Sequence, residues 1–189
     1  MNKEYLILQL NNIKNAKREN RLCVANLVIE NPILFKYLLE LVVEFNNKLS
    51  IKAAWVLEFV CTKKLDWLAP HLNYFTKNIH KIKFDSAVRP VAKICEFLAK
   101  SHTSTQASII KNKITKNHIN NIIEAGFDWL IGKQKVAVKA YTMEMLYLFG
   151  KNEKWIHQEL QLIIQQNIIN ESAAYKARGK KILSWIKNK

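Results

Sequence analysis

Apolar residues recur at helical spacing along almost the whole chain, and no alternating run is long enough to compete as a strand. Only four Gly and three Pro punctuate 189 residues. Tightly turned all-β folds and glycine-rich phosphate loops therefore have little raw material. The pattern predicts helices over residues 4–13, 17–29, 32–45, 50–62, 67–80, 85–99, 115–131, 135–149, 153–166 and 172–187. Asn31 reads as an N-cap with Pro32 at the first helical position. Asp66 reads as the cap of the 67–80 helix, with Pro70 in its first turn, and Pro90 as the residue that pins the start of the 85–99 helix. Residues 101–114 are the most polar stretch and carry no clear helical pattern. The fold class is all-α.

An internal repeat organises these helices. Ile51-Lys52-Ala53 matches Val138-Lys139-Ala140 at an offset of 87 residues. Trp67-Leu68, Leu72 and Phe75 match Trp155-Ile156, Leu160 and Ile163 at an offset of 88. Basic residues at 21, 52, 89, 139 and 176 open every second helix. Self-similarity at this period means helix pairs stacked side by side. The 50–62 and 136–149 helices are apolar nearly all round, so they need neighbours on two or three sides, in the middle of a stack. The more polar 4–13 and C-terminal helices suit its ends.

An apolar-basic dipeptide that opens the second helix of a pair, followed by small and apolar residues, resembles a HEAT repeat. Val88-Arg89-Pro90-Val91-Ala92 carries the resemblance best and Ile51-Lys52-Ala53-Ala54 next. The Asp that such repeats carry before the dipeptide has its nearest counterpart in Asp85. The resemblance implies a right-handed α-α superhelix of about five HEAT-like helix pairs, a single solenoid domain over 1–189, with the second helices lining a concave wall.

Charge then narrows the class of partner. Thirty Lys+Arg face 15 Asp+Glu, a net +15 that attracts polyanions. Twenty-six of the basic residues are Lys, and Lys, Ile and Asn are enriched together, so part of the excess reflects composition. Each second helix nevertheless carries two basic residues four apart: Lys17/Arg21, Lys48/Lys52, Arg89/Lys93, Lys135/Lys139 and Lys176/Lys180. Residues at that spacing share a helix face. Arg21, Lys48, Lys52, Arg89, Lys93, Lys135, Lys139, Lys176 and Lys180 are therefore the candidate nucleic-acid contacts, because lysine and arginine neutralise phosphates without reading sequence. The competing role for the same ladder is structural, as bridges between neighbouring repeats. The acid-free run Lys176, Arg178, Lys180, Lys181, Lys187 and Lys189 complements a helix C-terminus and favours solubility.

Other chemistries lack their residues. Cys23, Cys61 and Cys95 show no C-x-x-C and no zinc spacing, which predicts reduced, buried thiols and a cytoplasmic location. No signal peptide and no stretch of 18 uncharged apolar residues are seen. The five histidines form no H-E-x-x-H. No cofactor or metal is expected, and the oligomeric state is open. Trp67 and Trp155, at equivalent repeat positions, read as packing residues. The sequence thus reads as a non-enzymatic module that binds an extended polyanion, DNA or RNA first and an acidic protein as the alternative. A third reading is an enzyme similar to the alkylpurine DNA glycosylases built from HEAT-like repeats, which the Asp128-Trp129 pair invites.

Overall fold

Side-chain caps open several of the helices in the computed structural model, which describes residues 1–44, 47–82 and 84–188. Asn2 accepts the Tyr5 N–H to open α1 (Lys3–Asn11). Then come α2 (Arg18–Glu30), α3 (Leu34–Val42), α4 (Leu49–Lys64), a 3-10 stretch (Leu65–His71), α5 (Leu72–Asn78), a second 3-10 turn (Ile79–Lys81) and α6 (Asp85–Thr103). The short α7 (Ile109–Lys113) follows, then α8 (Lys116–Ile131), α9 (Val136–Phe149), α10 (Lys154–Asn167) and α11 (Ala173–Lys187). Helices make up most of the described residues, and no strand occurs among them. The helix end predicted at Phe45 and the basic residue Lys189 lie outside the described residues.

The structure moves three predicted boundaries, each for a local reason. Asn31 closes α2 instead of capping the next helix: its side-chain amide donates to the Leu27 carbonyl at 2.9 Å. Pro32 pushes it out of the helical region, and α3 starts only at Leu34. Asp66 caps nothing, because α4 runs straight into the 3-10 stretch that holds Pro70; without an N–H there, regular α-helix resumes only at Leu72. Within the polar 101–114 stretch, α6 continues to Thr103, and Ser108 caps α7 by accepting the Lys111 N–H.

Pro90 lies well inside α6, beyond the first turn where proline costs little. A proline at 90 deprives the Ser86 carbonyl of its helical donor. The indole Nε1 of Trp55 on α4 donates to that carbonyl at 3.0 Å, so a neighbouring helix supplies the missing bond. Trp55→Phe is expected to cost about 1 kcal/mol in urea unfolding. With Pro90→Ala in place, which restores a helical donor, the same change should cost nearly nothing. An equal cost in both backgrounds would refute the compensation.

The chain folds as two compact units, Met1–Ile94 and Cys95–Lys189, with the boundary inside α6. Unit 1 is built around α4, which packs against α1, α2 and α3; its Ala53, Ala54, Val56, Leu57 and Val60 are fully buried. Unit 2 is built around α9, which packs against α8, α10 and α11 and buries Val138, Met143, Met145 and Leu146. These are the two helices that are apolar all round. Each touches several neighbours, as their sequences require. The arrangement is that of an α-solenoid, with second helices side by side. In unit 1, Arg21 lies over Phe59 and Lys63 reaches Asn26, offsets of 38 and 37 residues, so α2 and α4 run parallel. In unit 2, the pairs Lys139–Glu171, Glu144–Arg178 and Tyr147–Trp185 set α9 and α11 parallel in the same way. Cys61 and Cys95 are buried as expected, and burial pushes the Cys61 thiol up; Cys23 on α2, expected to be buried with them, is exposed instead.

Candidate interaction surface

Four of the five residues that open the second helices are tied into the protein rather than held out from it. Arg21 lies 5.7 Å over the Trp55 ring and 5.2 Å over Phe59. Lys52 donates to the Asn11 carbonyl at 3.0 Å. Arg89 pairs with Glu58 of α4 at 2.7 Å. Lys139, only 8% exposed, pairs with Glu171 at 2.6 Å and lies 5.7 Å from the Tyr175 ring centre. Lys176 is half-buried at the start of α11. Among the described residues Glu171 is one of three acids that bridge these second helices. Glu58 serves Arg89, and Glu144 of α9 takes both Lys100 of α6, at 2.9 Å, and Arg178 of α11. Lys100 also meets Glu96, which is 2% exposed.

These bonds have a physical logic. Arg89, Lys139 and Arg178 each meet a carboxylate from a neighbouring helix or the loop before it, which neutralises the cation and fixes the offset between the helices. Burial alone pushes Glu144 up, but hydrogen bonds and charge from Lys100 and Arg178 outweigh it and hold its carboxyl below the usual range. Burial likewise opposes the charge on Lys100, yet Glu96 and Glu144 hold its ammonium above the ordinary lysine value.

The other members of the predicted set stand one turn away. Lys48 and Lys135 are exposed N-cap residues of α4 and α9, and neither makes a side-chain cap bond. Lys17 holds the same place on α2. Lys180 is exposed on α11, and Lys93 is half-buried on α6. No acid occupies the first turn of α4, α9 or α11, so the positive end of each helix dipole adds to the lysine field. All four arginines meanwhile have intramolecular partners: Arg18 and Arg21 on aromatic rings, Arg89 and Arg178 on carboxylates. The outward charge is carried by lysine, a compact ammonium without the bidentate fork of arginine.

The sequence alone did not foresee the bridging acids or the position of Trp155. Trp155 is 51% exposed rather than a packing residue, while its repeat equivalent Trp67 is half-buried edge-on to Phe35 at 5.7 Å. The Asp128-Trp129 pair divides between environments: Asp128 is exposed and Trp129 is 4% exposed in the core. His118 completes a capping box with Thr115, a structural task. Among the described residues no group of three His, Cys, Asp or Glu side chains is placed to hold a metal, and no helix is long and apolar enough to cross a membrane.

Comparison with known proteins agrees with the repeat architecture. No curated protein and no solved structure matches the chain. The family model of the HEAT repeat domain matches residues 9–186, across both units. Repeats of this kind generally serve as protein-interaction scaffolds. With its paired helices, parallel second helices and a match over nearly its full length, the chain belongs to the HEAT repeat family.

Proposed function

We propose that this HEAT-repeat protein is a non-enzymatic interaction scaffold that holds an extended acidic partner, an acidic protein segment first of all, on lysines at the starts of its second helices. One observation carries the reading: the inner cations Lys52, Arg89 and Lys139 are tied into the fold, while Lys48 in unit 1 and Lys135 in unit 2 stand exposed at repeat-related helix starts and Lys180 is exposed further along α11. Each unit contributes its own set. Lysines of this kind attract negative charge without demanding a particular geometry, which suits an acidic chain of variable sequence. Nucleic acid is the second reading. It is favoured by the net charge of +15, because a phosphate backbone needs only point charges for binding without sequence readout.

Titration of the full chain with a poly-glutamate peptide and with labelled single- and double-stranded DNA, over several salt concentrations, separates the two. Tighter binding of the peptide than of DNA supports the first reading. DNA binding whose affinity falls steeply with salt, with a slope of about 0.9 per phosphate neutralised, supports the second. Charge reversal at Lys135 and Lys180, or at Lys48, is expected to weaken binding about tenfold per unit at low salt. Reversal without effect, or no binding to any of the three probes at low salt, refutes the role of these lysines.

A further inference from the structure

Consecutive first helices meet differently in the two units. In unit 1, α1 lies directly against α3. In unit 2, α8 and α10 flank a groove of about 810 Å³, closed at one end by the last turn of α6. Its floor is apolar, with Ile123, Phe149 and Ile156. The rings of Phe127 and Trp155 stand 5.9 Å apart over it, and half of the Trp155 surface is open. A groove of this size accommodates several side chains of an extended segment.

The rim decides what kind of segment. Glu124 and Asp128 stand one turn apart on α8, both exposed, and Glu153 lies on the opposite lip. Like charges at that spacing cost a helix about 0.2–0.5 kcal/mol. Among the described residues neither Glu124 nor Asp128 is in an ion pair, and Glu153 meets only the exposed Lys116, at 3.8 Å. A chain with twice as many bases as acids thus sets three carboxylates against the one lysine, Lys116, around this apolar recess. The repeat-equivalent recess of unit 1 makes the contrast plain. It has the same aromatic pair, Phe35 and Trp67, but no carboxylate lines it and Lys36 does.

We propose that the groove between α8 and α10 docks a segment of a partner protein in which Lys or Arg alternates with aliphatic residues. The aliphatic side chains cover Ile123, Phe127 and Trp155, and the cations pair with Glu124, Asp128 and Glu153. The net charge of the protein repels such a segment everywhere else, so local complementarity alone holds it.

A short alternating Leu-Lys peptide and its Leu-Glu counterpart test this on the nitrogen-15-labelled full chain, read at the indole N–H resonances. Those of Trp155 and Trp67 are identified by their loss in Trp155→Phe and Trp67→Phe. The Leu-Lys peptide is expected to shift the Trp155 signal saturably and leave that of Trp67 in place, and the Leu-Glu peptide to leave Trp155 unmoved. Glu124→Gln combined with Asp128→Asn, which preserves shape, is expected to raise the dissociation constant about tenfold. No Trp155 shift at millimolar Leu-Lys peptide, an equal shift at Trp67, or an unchanged dissociation constant in the double variant would overturn the proposal. None of these readings depends on Lys48, Lys135 or Lys180, so the lysine surface and the groove stand or fall separately.

Discussion

Replacing Glu144 by alanine is expected to lower the stability of unit 2 by about 3 kcal/mol, because it removes the acid shared by two cations on two neighbouring helices. The Glu144 side chain is 14% exposed and takes Lys100 and Arg178. Without it, Arg178 keeps its position on α11 but loses its carboxylate, and Lys100 is left with the already buried Glu96. A charge stranded in that way costs more than the pair gained. Urea unfolding of Glu144→Ala, Arg178→Ala and the double variant measures the coupling. The double variant should be more stable than the sum of the single losses predicts by at least ~1 kcal/mol. Strict additivity would show that the bridge contributes nothing.

The same network sets a pH window. The folded Glu144 carboxyl titrates below its ordinary 4.5, so its contribution is present above that pH and lost as pH falls through the lowered value. The folded Lys100 ammonium titrates above its ordinary 10.5, so its contribution is full below that pH and lost as pH rises through the raised value. The contribution of this network should therefore hold level between these limits and decline outside them, and Glu144→Ala should flatten the part of the acid limb below pH 4.5.

Gly150→Ala is expected to destabilise by about 2 kcal/mol, against the direction that backbone propensity predicts. Gly150 is the C-cap of α9 in ordinary right-handed conformation, so its backbone accepts any L residue. The obstacle is space. A Cβ there would press into the His157 ring, 2.6 Å from Nε2, and approach the Leu146 carbonyl oxygen at 3.1 Å. The ring has nowhere to go: it is buried, stacked on Tyr147 with centroids 5.2 Å apart, and Nε2 is 2.8 Å from the Tyr147 carbonyl oxygen. Gly126→Ala in α8 provides the comparison. The Cβ added there meets first the terminal methyl of Met145, a flexible end that can shift, so the loss should be smaller. Thermal unfolding that places the alanine variant at 150 at or above the parent would show that the ring yields.

Much of this architecture is legible in local patterns. The three-to-four-residue rhythm marks the helices, and the 87- and 88-residue offsets mark the repeat. The all-round apolar character of α4 and α9 places them centrally before any coordinate is known. Two of the three boundaries that moved lie where proline acts beyond its own residue, at Pro32 and Pro70, and Pro90 shows the same reach inside a helix. Pro70 holds a whole segment in 3-10 form, and Pro90 is tolerated within α6 through a tryptophan on another helix. A one-dimensional reading of proline registers the missing donor but not the replacement.

The candidate surface shows the sharper division. Sequence spacing pairs basic residues four apart at the second helices, and it leaves open whether they reach outward or bridge. The answer lies in Glu58, Glu144 and Glu171, which stand 31, 34 and 32 residues from Arg89, Arg178 and Lys139. Helical rhythm and repeat period are carried by neighbours in the chain, so the sequence by itself determined the all-helical, paired-repeat fold. Which cations are neutralised, which lysines face outward, and that Trp155 opens onto an acid-rimmed groove depend on the offset between packed helices, and only the tertiary structure decided them.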